Sequence, residues 1–314
     1  MKALVTGGAG FIGRWVCKAL IEKGIDVSIL DDLSNSTEKN FEEFKSSRGF
    51  HFYKCKVEDR NSVEDIFKKG FDICIHAAAQ IDVQESLENP DESFNANILG
   101  TFNVLEAARK SRTKVVIVGT CMVYEMANEP ITEQSRTKPL SPYAASKLAA
   151  EELALSYYYG YGLPTVILRP FNTYGPFQKT NMEGSVATIF IKNKLRNEDI
   201  KIFGDGSQTR DLMYVEDCAN FIVMASLEKN AEGEIINAGT GKDVSINKLA
   251  SIICKDQSKI KKIPHHHPQS EIKRLVAGYS KAEMLLGWHP KTSLEDGLKK
   301  TEEWLADNPD RMEE

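Results

Sequence analysis

The sequence predicts an α/β protein built on a doubly wound parallel sheet, and two patterns carry this prediction. Six short strands, most of them apolar throughout, alternate with helical segments over positions 1–170, as in a parallel sheet covered by helices on both faces. The first strand runs straight into a glycine-rich turn, GGAGFIG at 7–13. Because ligands of such sheets bind at the carboxyl ends of the strands, we expect the functional residues at that edge.

The elements are predicted in order from the hydrophobic pattern and from helix start and stop signals. Strands are expected at 2–6, 26–30, 50–54, 71–76, 114–120 and 165–170, and helices at 11–23, at 91–110 and from Pro142. Capping-box patterns at 62–65 and at the start of 280–288 predict two further helices. With helical stretches at 246–254 and 294–306, positions 171–314 form a smaller C-terminal α/β lobe, from which segments can return to the sheet of positions 1–170.

The glycine-rich turn satisfies a dinucleotide-binding fingerprint. Gly8, Gly10 and Gly13 have its spacing, and positions 7, 10 and 13 have that of its wider variant. Such glycines let the strand turn sharply and let backbone N–H groups approach a pyrophosphate at the start of a helix. The second strand runs into Asp31 and Asp32, where an acid accepts both hydroxyls of an adenine ribose and repels a 2′-phosphate. The combination predicts a Rossmann-type domain that binds NAD rather than NADP.

Composition and charge exclude several classes of function. The net charge of −5 argues against a nucleic acid or an anionic membrane as the main partner, and no apolar run approaches the length of a membrane span. The strand at 2–6 leaves no room for a secretory leader, and six scattered cysteines lack paired spacing, so we expect reduced thiols in the cytoplasm. Three consecutive histidines in HHHPQSEI at 265–272 do not present convergent ligands, so no metal is expected.

SPYAASK at 141–147 places a tyrosine and a lysine four residues apart at the start of a predicted helix. Proline suits the first helical turn, and side chains at i and i+4 share a face, so the Lys147 ammonium can approach the Tyr143 ring. Tyrosine titrates near about 10, too high for a base at neutral pH, but a neighbouring ammonium and a cationic nicotinamide would both lower that pKa. By itself the pair is also what an ordinary amphipathic helix shows by chance.

Six motifs in one order give the chain a resemblance to a known family. TGGAGFIG, Asp31, HAAA at 76–79, Thr120, YAASK and RPFNTYGP at 169–176 resemble the extended short-chain dehydrogenase/reductases that act on nucleotide sugars. Within that family the chain is most similar to the NAD-dependent 4-epimerases of the UDP-glucose type and to the related dehydratases. The resemblance implies an NAD site formed by Gly7, Gly10, Phe11, Ile12, Gly13, Asp31, Asp32, Asn35, Ser36, Val57, Ala77, Ala78, Ala79, Asn97, Tyr143 and Lys147.

The resemblance also implies roles in chemistry, substrate binding and assembly. Thr120, Tyr143 and Lys147 match the family's catalytic hydroxyl, tyrosine base and lysine, which together serve the oxidation of a sugar C4 hydroxyl. A plainer interpretation makes Thr120 a turn cap at a strand end, and makes Arg210 half of a surface ion pair with Asp211 or Asp217. A homodimer is implied, built on the helices at 91–110 and 142–161. Contacts with a nucleotide-sugar substrate are implied for Gln80, Thr120, Asn172, Phe203, Arg210, Glu271 and Leu275.

Cys121 and Met122 distinguish the alternatives within the family. A dehydratase needs an acid and a base after the threonine; Met122 carries no proton, and Cys121 is either that acid or a small apolar residue lining the pocket. We therefore predict a 4-epimerase of UDP-glucose/galactose or of a UDP-N-acetylhexosamine, with a 4,6- or 5,6-dehydratase as the alternative and a non-catalytic NAD-binding scaffold as a third hypothesis. In two departures from the family, Lys56 replaces a frequent aspartate near the adenine, and Leu275 replaces a tyrosine and leaves room for an N-acetyl group.

Overall fold

The computed structural model describes residues 1–180, 185–264 and 272–313. The strands are, in chain order, β1 (Lys2–Thr6), β2 (Asp26–Asp31), β3 (His51–Lys54), β4 (Ile73–His76), β5 (Lys114–Val118), β6 (Thr165–Pro170), β7 (Thr173–Tyr174), β8 (Ile200–Phe203), β9 (Thr209–Arg210), β10 (Met213–Tyr214), β11 (Ile235–Ala238), β12 (Val244–Ser245), β13 (Ile260–Ile263) and β14 (Arg274–Leu275). The α-helices are α1 (Phe11–Glu22), α2 (Arg60–Phe67), α3 (Val83–Glu88), α4 (Pro90–Phe94), α5 (Gly100–Ser111), α6 (Pro142–Tyr161), α7 (Val186–Leu195), α8 (Val215–Leu227), α9 (Ile246–Ile253), α10 (Ser280–Leu286) and α11 (Leu294–Asp307).

Seven parallel strands form the central sheet, in the order β11-β6-β5-β4-β1-β2-β3. Val5 lies opposite Ile29 on one side and Ile75 on the other, which fixes the register of β1. The predicted doubly wound sheet is confirmed. Strand order reverses between β1 and β4, and in such sheets ligands bind in the crevice at the carboxyl ends of the strands beside that switch point.

Alternate residues of each strand belong to different cores. Val5 of β1 lies in one apolar cluster with Leu20 of α1 and Phe221 of α8, whereas its neighbour Leu4 lies in another with Leu105 of α5. All five side chains are fully buried. The sheet is therefore covered on both faces, which explains why its strands are apolar throughout rather than alternating with polar residues.

The N-terminal caps predicted for two helices are wrong. Helix α2 begins before Ser62, because Asp59 lies at its N-terminus and accepts a hydrogen bond from the Ser62 backbone N–H at 3.2 Å. Aspartate is as good a cap as serine and lies three residues earlier, so it takes the position. Helix α10 has Tyr279 at its N-cap and no side-chain cap, so Ser280 is its first helical residue instead of its cap.

The single helix predicted at 91–110 is interrupted. Helix α4 ends at Phe94, a π turn occupies Asn95–Leu99, and α5 begins at Gly100. A π turn inserts one extra residue into the hydrogen-bond pattern and is frequent at functional sites. Its cause, described below, lies in contacts made by Asn97 with distant parts of the chain.

The chain beyond Pro170 contributes to the central sheet as well as to a separate core. Strand β11 pairs with β6 at the sheet edge, and α8 packs against α1. Phe190 of α7, Leu249 of α9 and Leu298 of α11 share a third apolar cluster. The small sheets β13-β8, β12-β9-β14 and β10-β7 lie in this half of the chain. A boundary between two domains at 170 stays a prediction. Within the described ranges, no helix has the length and apolar character needed to cross a membrane.

Candidate active site

The glycine turn between β1 and α1 is closed too tightly for any side chain. A Cβ on Gly7 would lie 2.7 Å from the backbone N of Ala78, and one on Gly13 would lie 2.1 Å from the carbonyl O of Gly7. Helix α1 begins with Gly10 at its N-cap, which supplies no side-chain cap to the first N–H groups of the helix. An uncapped helix N-terminus beside a bare backbone is suited to a phosphate.

Asp31 ties the glycine turn to the end of β2. Its Oδ2 accepts from the backbone N–H of Ala9 at 3.0 Å, and its Oδ1 accepts from the N–H of Leu33 at 2.9 Å and from the hydroxyl of Ser36 at 3.0 Å. Burial raises the pKa of Asp31, and these donors act against the rise. Oδ2 accepts only one of these bonds and has a second lone pair, so Asp31 can also accept a hydroxyl group of a ligand.

A cleft of about 930 Å³ runs along the carboxyl edge of the sheet. It extends from the glycine turn past the N-terminal end of α6 to the residues that follow β6 and β9. The structure thereby brings together most of the residues singled out in the sequence. The predicted residues that line it are Gly7, Gly10, Phe11, Ile12, Gly13, Asp31, Asp32, Asn35, Ser36, Val57, Ala77, Ala78, Ala79, Gln80, Thr120, Cys121, Tyr143, Lys147, Asn172 and Arg210.

Helix α6 presents Tyr143 and Lys147 to this cleft. Ser141 caps the helix by accepting from the N–H of Ala144 at 3.2 Å. The Lys147 Nζ donates to the carbonyl O of Val118 at 2.7 Å, and the Thr120 side chain is close enough to Tyr143 to lower the pKa of the phenol. All three side chains of the predicted triad are therefore buried at the end of β5.

The electrostatics of the triad differ from the expectation for an isolated tyrosine and lysine pair. Burial raises the pKa of Tyr143 to about 12, against the lowering effect of the Thr120 side chain. Burial lowers the pKa of Lys147 to about 8, and the Glu151 carboxylate opposes that fall. The expected lowering of the phenol pKa is therefore not achieved by the chain's own lysine. A second positive charge near the Tyr143 ring would be needed for the phenolate to form at neutral pH.

Asn97 lies behind the cleft instead of lining it, and its contacts account for the π turn. Its Oδ1 accepts from the backbone N–H of Gln80 at 2.8 Å, and its Nδ2 donates to the Gln80 carbonyl at 3.0 Å and to the Ser146 hydroxyl at 2.9 Å. The Ser146 hydroxyl in turn donates to the carbonyl O of Tyr143 at 2.8 Å. The amide thus joins the segment after β4 to the catalytic helix.

His76 is a buried residue of the site that the sequence does not identify as functional. The Thr101 hydroxyl donates to the Asn97 carbonyl at 2.6 Å, so it accepts from His76 Nε2 at 3.0 Å. His76 Nδ1 then accepts from the Thr6 hydroxyl at 2.6 Å, which itself accepts from the Ala78 N–H at 3.2 Å. Thr6 lies opposite His76 in the β1–β4 register. The sequence signal that could have paired them is that each is the last residue of a predicted strand, at 2–6 and at 71–76.

Comparison with known proteins decides the family. A model of the NAD-dependent epimerase/dehydratase family matches residues 3–239. A putative UDP-glucose 4-epimerase from Methanocaldococcus jannaschii is 39% identical over 309 residues, which cover 97% of this chain and 98% of that protein. The chain belongs to the NAD-dependent epimerase/dehydratase family. The resemblance found in the sequence motifs is confirmed.

Solved structures similar to this epimerase/dehydratase family member include Pal from Bacillus thuringiensis, with 52% identity and a TM-score of 0.96, covering 98% of this chain and 99% of that one. UDP-glucuronic acid 4-epimerase from Bacillus cereus, solved in complex with UDP-glucuronic acid and NAD, has 32% identity and a TM-score of 0.90. That similarity covers 98% of this chain and 99% of the other.

The residues at the switch point fit NAD, the cofactor of the epimerase/dehydratase family. The glycine turn and the uncapped start of α1 suit the pyrophosphate, and Asp31 at the end of β2 suits the adenine ribose. When bound, NAD accepts a hydride and returns it. Lys56 follows β3 and lines the same end of the cleft. It is the residue that was expected to replace the family's frequent aspartate near the adenine.

The predicted substrate residues are only partly gathered at the cleft. Arg210 lines it and donates from Nη1 to the carbonyl O of Ile272 at 2.7 Å, while Asp211 accepts from the backbone N–H groups of Thr240, Gly241 and Ala277. Asn172 lines the cleft, and its buried Oδ1 has no hydrogen-bond partner among the residues that the structure describes, so a ligand donor would satisfy it.

Two predicted substrate residues lie elsewhere, and a third is not described by the structure. Phe203 on β8 is 39% exposed and does not line the cleft. Leu275 is fully buried in a cluster with Cys121 and Phe171, one layer behind the lining. Glu271 and the histidines at 265–267 lie outside the described residues.

Proposed function

We propose that this member of the family is an NAD-dependent nucleotide-sugar 4-epimerase that inverts C4 by way of a 4-keto sugar. The observation that carries the proposal is that the Thr120, Tyr143 and Lys147 side chains line one cleft, with Lys147 one helical turn beyond Tyr143. Neither Cys121 nor Met122, which follow Thr120, supplies a base to the same space.

Each member of the triad has a distinct task in this proposal. Thr120 holds the C4 oxygen of the sugar and keeps it in line with Tyr143. Tyr143, as phenolate, takes the hydroxyl proton while C4 is oxidised, and returns it when the ketone is reduced from its other face. Lys147, a cation fixed to the Val118 carbonyl, would favour the phenolate only together with the second positive charge that a bound nicotinamide supplies. Because the proton returns to the same atom from which it came, the reaction has no net acid or base requirement.

A dehydratase is the second candidate, because the family model covers both activities. It would need Cys121 to protonate the departing C6 hydroxyl. The Cys121 side chain is buried, and burial raises the pKa of this thiol to about 12, against the lowering effect of Arg210. A thiol this weak as an acid is a poor proton donor. Its position in an apolar cluster with Phe171 and Leu275 favours a packing role.

The charges of the cleft favour a neutral sugar, either a hexose or an N-acetylhexosamine linked to UDP. Asp82, Glu85 and Glu92 line the cleft, and α3 and α4, which carry the two glutamates, pack against α6 beside the triad. Glu85 also accepts from the Gln80 side chain at 3.2 Å. These carboxylates would repel a uronate, while Arg210 suits the diphosphate common to all these substrates.

Product analysis tests the function directly. The protein is incubated with UDP-glucose, UDP-N-acetylglucosamine and UDP-glucuronate, and the products are resolved by chromatography, mass spectrometry and NMR. An isomer of equal mass supports the epimerase, and a product lighter by one water supports the dehydratase. We expect kcat/KM for UDP-glucuronate to be lower by about 10-fold or more than for the better neutral sugar, which corresponds to about 1.4 kcal/mol. No turnover by protein that retains NAD would support the scaffold hypothesis.

We also propose that the protein is a cytoplasmic homodimer. The helices expected at the interface expose large apolar side chains, with Phe94 49%, Leu99 45% and Tyr159 76% accessible. Such side chains on neighbouring helices favour association. We expect a dimer by light scattering and a monomer for Leu99→Glu. The matched control is Leu227→Glu, because Leu227 on α8 is 38% exposed and lies away from these helices.

A further inference from the structure

A buried ion pair lies directly behind the triad and has no place in the chemistry described so far. Glu151 of α6 and Arg169 of β6 are 0% and 2% exposed. Arg169 donates to Glu151 Oε2 twice, from Nε at 2.9 Å and from Nη2 at 2.6 Å. Burying two charges costs several kcal/mol each unless their contacts compensate, so a pair of this kind often reflects function more than stability.

Within the described part of the chain, the second carboxylate oxygen of Glu151 has no hydrogen-bond partner. Glu151 Oε1 is buried and unpartnered, and it lies against Gly119, where an added Cβ would be only 2.3 Å away. Gly119 lines the cleft and immediately precedes Thr120. The absence of a side chain at position 119 therefore leaves the space that this oxygen occupies, next to the strand end that carries the catalytic hydroxyl.

Helix geometry aligns this oxygen with the catalytic side chains. Tyr143, Lys147 and Glu151 follow at intervals of four residues and form one buried stripe of α6. Glu151 is the charge that opposes the lowering of the Lys147 pKa by burial. Burial raises the pKa of Glu151 itself, and Arg169 first and Lys147 after it oppose that rise. The same carboxylate raises the pKa of Tyr143, after the larger effect of burial.

Other titratable groups around Lys147 do not replace Glu151. His76 of β4 feels the Lys147 charge but has its own pKa lowered to about 3, chiefly by burial, and so stays neutral. The Cys121 thiol also stays protonated. On α6 the neighbouring Glu152 is exposed, and on α5 Glu106 binds Arg109 and the Tyr157 hydroxyl at the other end of the helix. The acids carried by α3 and α4, Glu85 and Glu92, are exposed on the cleft rim.

We propose that Glu151 is a positioning residue that keeps Lys147 cationic in the dry site, with Arg169 holding the Glu151 carboxylate ionised and in place. The inference rests on the proposed function only in giving Lys147 a role in the reaction. The effect of Glu151 on the charge of Lys147 does not depend on which reaction the protein catalyses. Glu151 touches neither substrate nor cofactor and acts through Lys147.

The decisive experiment measures the charge of Lys147 without using turnover. Protein labelled with ¹³C at lysine Cε is titrated by NMR, and the Lys147 signal is identified by its loss in Lys147→Met. We expect the Lys147 signal of the wild-type protein to titrate with a midpoint at pH about 8. In Glu151→Gln the midpoint should be lower by about one pH unit, which is a tenfold change in the acid dissociation constant of Lys147. Glu152→Gln removes an exposed charge from the next position and should leave the midpoint in place. An unchanged midpoint in Glu151→Gln overturns the proposal.

A second measurement separates positioning from a purely structural role. As pH rises through the Lys147 pKa the cation is lost, so the alkaline limb of the kcat profile should move to lower pH by about one unit in Glu151→Gln. Glu151→Asp keeps the charge and should restore most of the wild-type profile. A uniform loss at every pH would indicate structural damage and count against the proposal.

Two further outcomes remain: the Glu151→Gln variant does not fold, or the protein has no epimerase activity. If Glu151→Gln does not fold, Glu151→Met combined with Arg169→Met replaces the pair by apolar volume, and the same fall of the Lys147 midpoint is expected. If no epimerase activity exists, the NMR titration still decides the role of Glu151, so failure of the proposed function is distinguishable from failure of this inference.

Discussion

Replacing Gly13 by alanine tests whether the closed glycine turn is what shapes the cofactor end of the cleft. An ideal Cβ at this position would lie 2.1 Å from the carbonyl O of Gly7 and 2.9 Å from the Cα of Gly8. Non-bonded contacts of a real Cβ are essentially never shorter than 3.0 Å. Helix α1 and the turn must therefore separate by about 1 Å, because the opposing atoms are backbone and cannot rotate away.

The expected cost follows from this displacement. Overpacking costs about 1–3 kcal/mol, and with backbone on both sides we expect the upper end, about 3 kcal/mol, which lowers Tm by about 6 °C. The first N–H groups of α1 move with the helix, and losing two hydrogen bonds to a charged group at about 1.5 kcal/mol each weakens NAD binding about 100-fold. Thermal denaturation and calorimetric titration with NAD measure the two effects.

Gly160 supplies the matched control. It lies in the last turn of α6, and a Cβ there would meet nothing within 4 Å. Glycine to alanine at a compatible helical position stabilises by about 0.5–1 kcal/mol, so Gly160→Ala should raise Tm slightly and leave NAD affinity unchanged. If Gly13→Ala keeps both the Tm and the NAD affinity of the wild-type protein, the argument from close approach is refuted.

Three further predictions concern the triad and its surroundings. Tyr143→Phe should lower kcat by roughly 10²–10⁴-fold with NAD binding retained, since it removes only the proton-transfer group; equal kcat would exclude Tyr143 as the base. Cys121→Ala should leave kcat within about threefold if the thiol only packs, whereas a loss of 10²-fold or more would assign it a proton-transfer role. Burial chiefly lowers the pKa of His76 from its ordinary 6.5 to about 3. As the pH falls from about 6.5 towards 3, the unfolded chain therefore binds a proton at His76 that the folded chain does not bind, and the free energy of unfolding decreases. At pH 5 the loss is about 2 kcal/mol, to be measured by denaturant unfolding, and it should disappear in His76→Asn but persist in His289→Asn, a change at an exposed position.

Much of the fold was predictable because burial on both faces leaves a strong signal. The strands at Lys2–Thr6 and Thr165–Pro170 have the bounds expected from their uninterrupted apolar runs. The position of Tyr143 and Lys147 on one helix face could also be predicted from neighbouring residues, because it depends only on helical spacing and on the Ser141 cap. Both kinds of prediction need only short-range information.

The features that escaped prediction depend on partners far away in sequence. The π turn follows from hydrogen bonds of Asn97 to Gln80 and to Ser146, 17 and 49 positions away. The ion pair of Glu151 with Arg169 joins helix α6 to strand β6, and no sequence motif predicts it. The pKa of Tyr143 is set chiefly by its burial under the assembled fold, and no sequence pattern measures that quantity.

The two buried hydrogen-bond paths explain why the site can be rigid without adding charge to it. One path runs from the Ala78 N–H through Thr6, His76 and Thr101 to the Asn97 carbonyl, and the other from the Asn97 amide through Ser146 to Tyr143. Every member is neutral, since burial keeps His76 unprotonated. A charged link would have shifted the pKa of the nearby phenol and ammonium. Neutral donors and acceptors fix the catalytic helix to the cofactor edge, so the charge balance of the triad is left to Lys147 and to the Glu151 and Arg169 pair behind it.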